Sequence, residues 1–330
     1  MRRVFWALAC MLLLVSCTET GNNNRQSNEN QQNEASNEVS SVDTLDINGY
    51  INRARWYLAN QKVGNAIRDI NSALSIDGKN VDALLVLADI YYALGDQDNI
   101  LLTLNKATEI APMDARPIIK LAELSFLQGN NKMANAYLDK ALELKSINPQ
   151  AYYMRGVIYM SNNDTVQALK QFMKARNQDD SFIDPVLQIA NIYAAQRNPM
   201  AMDFYALALQ MEPDNLGTLY DLAMYMQDNG NPEKALEIYD TLNVRMPGNY
   251  QVLFNKGYVN LVYLFEYDKA IENFDKALEI NPKSIDALLN KGVAYEQKGD
   301  FKQAKSIYLR ILKDNPNYQL AIDALHRIGE

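Results

Sequence analysis

The residues that usually carry chemistry are scarce in this chain. Cysteine occurs twice in 330 residues, at Cys10 and Cys17, so no disulfide framework can hold the remaining three hundred. Histidine occurs once, as His326. A nucleophile–base–acid triad would have to use that imidazole near the end of the chain, where nothing excludes water, and a solvated surface histidine is expected instead. There is no G-x-G-x-x-G, no G-x-x-x-x-G-K-[ST] and no Cys/His spacing of the metal-binding kind, so neither a nucleotide cofactor nor a metal is expected. Acidic pairs such as Asp179-Asp180 lack the alternating ligands and final Glu of a calcium loop. A cell-wall enzyme working through a carboxylate pair is the alternative, but the abundance of Asp and Glu alone gives it no positive support. The expectation is a protein that is not an enzyme.

Basic charge is also in deficit. Lys and Arg total 32 against 40 Asp and Glu, a formal charge of −8 and a pI near 4.9. Nucleic acid as a partner is thereby disfavoured, since phosphate binding needs a basic stripe to displace counterions. Attachment to an anionic membrane by charge alone is disfavoured for the same reason. One apolar run stands out, Val4 to Val15, and it is well short of the roughly 20 residues that span a bilayer. With Met1-Arg2-Arg3 before it and Ser16-Cys17 after it, the run reads as a secretory signal peptide over residues 1–16. Residues 18–45 are rich in Asn, Gln, Ser and Glu. Such a stretch cannot bury enough apolar surface to offset its ordering entropy, and Cys17 with residues 18–45 is expected to be a flexible tether about 30 Å in mean reach.

What the chain does have is repetition. In IDALLNKGVAYEQKGDFKQAKSIYLRILKDNPNY, residues 285–318, Leu288, Lys291, Gly292 and Tyr295 lie at helical spacing. Gly299-Asp300 closes that helix and opens the next, through the left-handed tolerance of Gly and the capping oxygen of Asp. Phe301, Ala304, Tyr308 and Ile311 repeat the spacing until Pro316 stops it. Similar stretches recur at intervals near 34 residues, giving units at 47–80, 81–114, 115–148, 149–182, 183–215, 216–249, 250–284 and 285–318. The fifth is one residue short near Asn198-Pro199, and the seventh carries one extra residue between Leu261 and Tyr267. Ala54, Ala88, Ala122, Gly156, Ala190, Ala223, Gly257 and Gly292 share position 8, where the two helices should approach most closely. The last residues, 319–330, continue the first-helix pattern: Ala321, Leu325 and Ile328 should cover the eighth unit, while Asp323, Arg327 and Glu330 face water.

On that frame the chain resembles the tetratricopeptide repeat, with apolar or aromatic residues at positions 4, 7, 11 and 24, small ones at 8, 20 and 27, and Pro at 32. The resemblance implies an all-α fold: a right-handed superhelical solenoid of about eight helix hairpins with a C-terminal capping helix. Leu14-Val15-Ser16-Cys17 resembles the bacterial lipobox, which implies acylation of Cys17 and a lipid-anchored envelope protein. Thr18, where an Asp would favour inner-membrane retention, implies the outer membrane by analogy.

In this family the concave face is lined by positions 2, 5, 9, 12 and 13 of the first helix. Here these supply Tyr92, Phe126, Tyr153, Met160, Tyr220, Met224, Phe254 and Tyr258 beside Asp89, Glu123 and Asp228. Aromatic and Met anchors with a few charges make up peptide-binding surfaces, so other proteins or peptides are the expected partners. Position 5 can also pack against the preceding repeat, which leaves Tyr153, Tyr220 and Phe254 divided between groove and core. The Lys/Asn/Arg carboxylate clamp of the chaperone-binding branch is not reproduced, since Ile51 and Arg55 stand at positions 5 and 9 of the first unit. The resemblance implies an adaptor for cell-wall hydrolases or proteases, or an accessory subunit of an outer-membrane assembly or secretion machine. A structural spacer or a homo-oligomer joined through the groove is the remaining alternative.

Overall fold

The structure is a computed structural model that describes residues 45–329. The expected signal peptide, Cys17 and nearly all of the tether lie outside the described residues, as does Glu330. Among the described residues there are 17 helices and no strand. They pair in chain order as α1 (Ile47–Ala59) with α2 (Val63–Ile76), α3 (Val81–Ala93) with α4 (Gln97–Ile110), and α5 (Ala115–Leu127) with α6 (Asn131–Leu144). Next come α7 (Pro149–Ser161) with α8 (Thr165–Gln178), and α9 (Ile183–Ala195) with α10 (Met200–Met211). Then follow α11 (Leu216–Asp228) with α12 (Pro232–Arg245), α13 (Tyr250–Val262) with α14 (Tyr267–Ile280), α15 (Ile285–Lys298) with α16 (Phe301–Asp314), and the single closing helix α17 (Gln319–Arg327). Each helix packs on its hairpin partner, and each second helix packs on the first helix of the next hairpin. The result is a one-dimensional stack with no central core.

Local chemistry sets the helix ends. Asp46, Asn80, Asp114 and Asn148, one repeat apart, each accept a hydrogen bond from a backbone N–H of the first helix they precede. Asp96, Asn130 and Asp164 do the same for second helices. Such caps contribute about 1 kcal/mol each. Within every hairpin the residue at the turn is left-handed. Gly299 (φ 86°) takes that conformation freely, whereas Gln61, Asn163, Arg197 and Phe265 take it as non-glycine residues. Phe265 (φ 57°), in the lengthened seventh turn, is 65% exposed, and its left-handed backbone costs about 1–2 kcal/mol. At the shortened fifth turn, α10 has 12 residues where the other second helices have 14, and Pro199 stands at its N-cap, where it supplies no side-chain cap.

Packing within a hairpin turns on position 8 and the residue facing it from the second helix. Where that residue is aromatic, position 8 is mostly glycine: an added Cβ would lie 2.5 Å from the Phe172 ring at Gly156, 2.7 Å from Phe274 at Gly257 and 2.4 Å from Tyr308 at Gly292. Where it is Ile70, Leu104 or Leu138, position 8 is Ala54, Ala88 or Ala122, all buried. Ala190 and Ala223 accompany Tyr205 and Tyr239, whose hydroxyls donate to Asn191 (2.7 Å) and Gln227 (3.2 Å). Adjacent hairpins are also tied by a recurring ion pair across sixteen residues, Asp139 with Arg155, Asp240 with Lys256 and Asp275 with Lys291. These pairs are largely at the surface and contribute little energy, but they repeat the same register.

The capping helix divides its faces as expected, with one added contact. Ala321, Ala324 and Leu325 are buried on the eighth hairpin, and Asp323 is exposed. Arg327 is exposed as expected and also reaches back to Glu296 with contacts of 2.5 and 2.9 Å, and the Tyr308 hydroxyl donates to the same carboxylate at 2.8 Å. The Glu296 side chain is only 7% exposed, and a buried carboxylate without such donors would cost several kcal/mol. Hydrogen bonding from Arg327 accordingly holds its pKa below the ordinary range.

Gly156→Ala should lower the urea midpoint by the equivalent of about 1–3 kcal/mol, although Ala is the better helix former. The double variant Gly156→Ala/Phe172→Leu, which copies the Ala122 and Leu138 arrangement, should lose less than the sum of the two single changes.

Candidate functional site

The first helices α1, α3, α5 and α7 border a groove of about 850 Å³. Its floor is apolar, from Leu85, Val86, Ala115 and Ile119, and its walls are charged. Arg116 bridges Asp82 of the neighbouring repeat (2.5 Å) and Asp114 (2.6 Å), while Lys120 pairs with Asp89. Arg55 and Lys145 also line the groove. Glu123 reaches solvent but sits low in the concavity, where protein displaces much of the surrounding water. That desolvation raises its pKa, with Lys120 opposing and Asp89 adding to the shift.

Further along the stack, a second recess of about 310 Å³ lies between the fifth and sixth hairpins. It contains Asp221, half-buried on α11, whose pKa desolvation pushes up to about 6. The hydroxyls of Tyr205 and Tyr220 nearby are pushed up by the same loss of water, and Asp221 adds to both shifts. Asp228, two turns along α11, accepts from the Tyr263 hydroxyl at 3.2 Å.

Three models of one family match this chain, each described as tetratricopeptide repeat, over residues 81–113, 120–181 and 262–327. The hairpins are tetratricopeptide repeats. A TPR repeat-containing protein of Methanocaldococcus jannaschii is 24% identical over 172 residues, which is 52% of this chain and 26% of that protein. The uncharacterized protein ycf37 of Guillardia theta is 30% identical over 142 residues, 42% of this chain and 74% of that protein. The chain spans between 19% and 35% of the length of the first curated relatives it matches. Among solved structures, the Cut9–Hcn1 hetero-tetramer of the APC/C aligns with a TM-score of 0.56 at 17% identity, over 93% of this chain and 61% of that one. That likeness concerns the fold alone.

The tetratricopeptide array distributes the eight concave-face residues unevenly. Tyr92 and Met224 are 43% and 39% exposed. Phe126, Met160 and Tyr258 are half-buried, as are the position-5 rings. Each of those rings meets an aromatic of its own repeat's second helix: Tyr153 with Phe172 (5.6 Å between centroids), Tyr220 with Tyr239 (6.0 Å) and Phe254 with Phe274 (5.7 Å). They therefore wall the groove and cover the core at once. Phe254 and Tyr258 also form a stacked ladder with Tyr250 along α13, at 5.9 and 6.5 Å.

Position 6 carries concave-face residues absent from the sequence reading: Lys120, Asp221 and Asn255, whose amide donates to the Tyr220 hydroxyl at 2.8 Å. The signal for them was present, because position 6 stands four residues after position 2 and three before position 9 on one helix face. Among the described residues no group of three or more His, Cys, Asp or Glu side chains is placed to hold a metal ion, and no helix is long and apolar enough to cross a membrane.

Because the folded chain binds the Asp221 proton more tightly than the unfolded chain does, this carboxylate lowers stability above about pH 6, and that cost fades as pH falls toward 4. Asp221→Asn should therefore raise stability at pH 7.5 by about 1–2 kcal/mol and change it little near pH 4. Urea denaturation of both proteins at the two pH values reads the difference.

Proposed function

We propose that this tetratricopeptide array is a protein-docking scaffold and not a catalyst, held at the bacterial envelope by a lipid on Cys17. Tetratricopeptide repeats in general bind other proteins or peptides. The observation that carries the reading is the concave face. It keeps Tyr92 exposed beside a groove whose apolar floor and charged walls suit an extended segment of a partner, and Met224 exposed in the recess between the fifth and sixth hairpins. Adaptor and accessory-subunit roles use the same face, and the partner's identity separates them.

A photo-crosslinking side chain placed on the concave face, at Gln150 in α7, should trap discrete partners in cells. Tyr92→Ser/Met224→Ser should lose those products, whereas Val244→Ser, at an 80% exposed site on a second helix, should retain them. Unchanged products in the double variant would remove the groove assignment.

The anchoring part of the proposal rests on the basic start, the apolar run and Leu14-Val15-Ser16-Cys17. Acyl chains contribute about 0.8 kcal/mol per buried methylene, so a multiply acylated Cys17 would hold the chain on the membrane without a spanning helix. Cells fed labelled palmitate should label the wild type and not Cys17→Ser. Equal labelling would end the lipoprotein reading.

A further inference from the structure

The recess between the fifth and sixth repeats has a composition of its own. Its side walls are Ala194, Ala195 and Met224, and its polar lining includes Asp221, Asp228 and Arg197. The two tyrosines at its base are already committed: the Tyr205 hydroxyl donates to Asn191 at 2.7 Å, and the Tyr225 hydroxyl to the backbone carbonyl of Asn198 at 3.1 Å. Asp221 is different. It is half-buried, neither salt bridges nor hydrogen bonds reach its side chain among the described residues, and desolvation sets its altered proton affinity. Arg197 lines the recess from the exposed hairpin turn, and among the described residues it forms neither a salt bridge nor a hydrogen bond with the half-buried Asp221. An ionised group kept out of water without a partner costs stability. The same group is pre-organised to meet a cation brought in from outside.

We propose that this slot receives a lysine or arginine side chain from a partner polypeptide. The proposal rests on the docking reading of the concave face and specifies what one stretch of it accepts. The aliphatic stem of the incoming residue lies along Met224 and Ala194, and its charged head meets Asp221, with Asp228 two turns further along α11 reinforcing the negative field. Only long cationic side chains combine an apolar stem with a positive end. Acidic residues at the same place would face the half-buried Asp221 and, nearer the solvent, Asp228. The net charge of −8 over the whole chain favours the approach of basic segments in the same sense.

The test uses the purified full chain and a positional-scanning library of extended nonapeptides, with selected sequences remade carrying norleucine in place of each basic residue. The wild type should select Lys or Arg at one position, and the norleucine peptide should bind about tenfold more weakly, a factor of ten being 1.4 kcal/mol. Asp221→Asn, checked for folding by circular dichroism, should bind both peptides alike, and Asp221→Glu should restore most of the preference. If library peptides bind but show no basic preference, or if Asp221→Asn keeps it, the slot assignment falls and docking in the groove stands. If no library peptide binds the wild type, both fall.

Discussion

The close approach of two helices at position 8 is the contact on which the rest of the structure depends. A glycine or alanine there lets the second helix lay an aromatic or aliphatic side chain flat against the first, and at Gly156, Gly257 and Gly292 the ring occupies the volume a Cβ would need. Glycine inside a helix costs about 1 kcal/mol relative to alanine, and buried ring contact repays it. Once the two helices of a hairpin are locked at this distance, their remaining apolar surface can be covered only by the neighbouring hairpin. Stacking follows from that requirement.

Stacking in turn leaves one face of every first helix uncovered. The second helices pack against the next repeat, while the first helices line the concave face, which no further element fills among the described residues. Residues on that face are held at fixed spacing by the core beneath them, as Tyr153 is by Phe172 and Phe254 by Phe274. The curvature also removes water from groups that a flat surface would leave hydrated. Glu123 and Asp221 both show the consequence in their raised pKa values. A groove of this kind is rigid in its backbone and electrostatically strained in its side chains, which suits recognition by complementary charge.

Much of the fold was legible because its determinants are local and repeated. The Asp300 cap, the left-handed Gly299 and the small residue at position 8 act within a few residues or one hairpin, and each has counterparts at the repeat interval. The site was legible only in part. The aromatic residues of the concave face could be named from helix periodicity, but periodicity does not say that the Tyr220 ring would lean on Tyr239 while Met224 stayed exposed. Asp221 reads in sequence as one acidic residue among 40 Asp and Glu.

By itself the sequence determined the all-helical class, the hairpin unit and its multiplicity, because helix spacing, capping and small-residue packing are encoded within a single repeat. Only the tertiary structure decided which charges are paired and which are stranded. Arg327 finds Glu296 across 31 residues and Arg116 bridges two repeats, yet among the described residues Asp221 is left without a partner. The reason is physical: pairing and desolvation depend on distances between successive hairpins and on the curvature they generate together, and no single repeat contains that information.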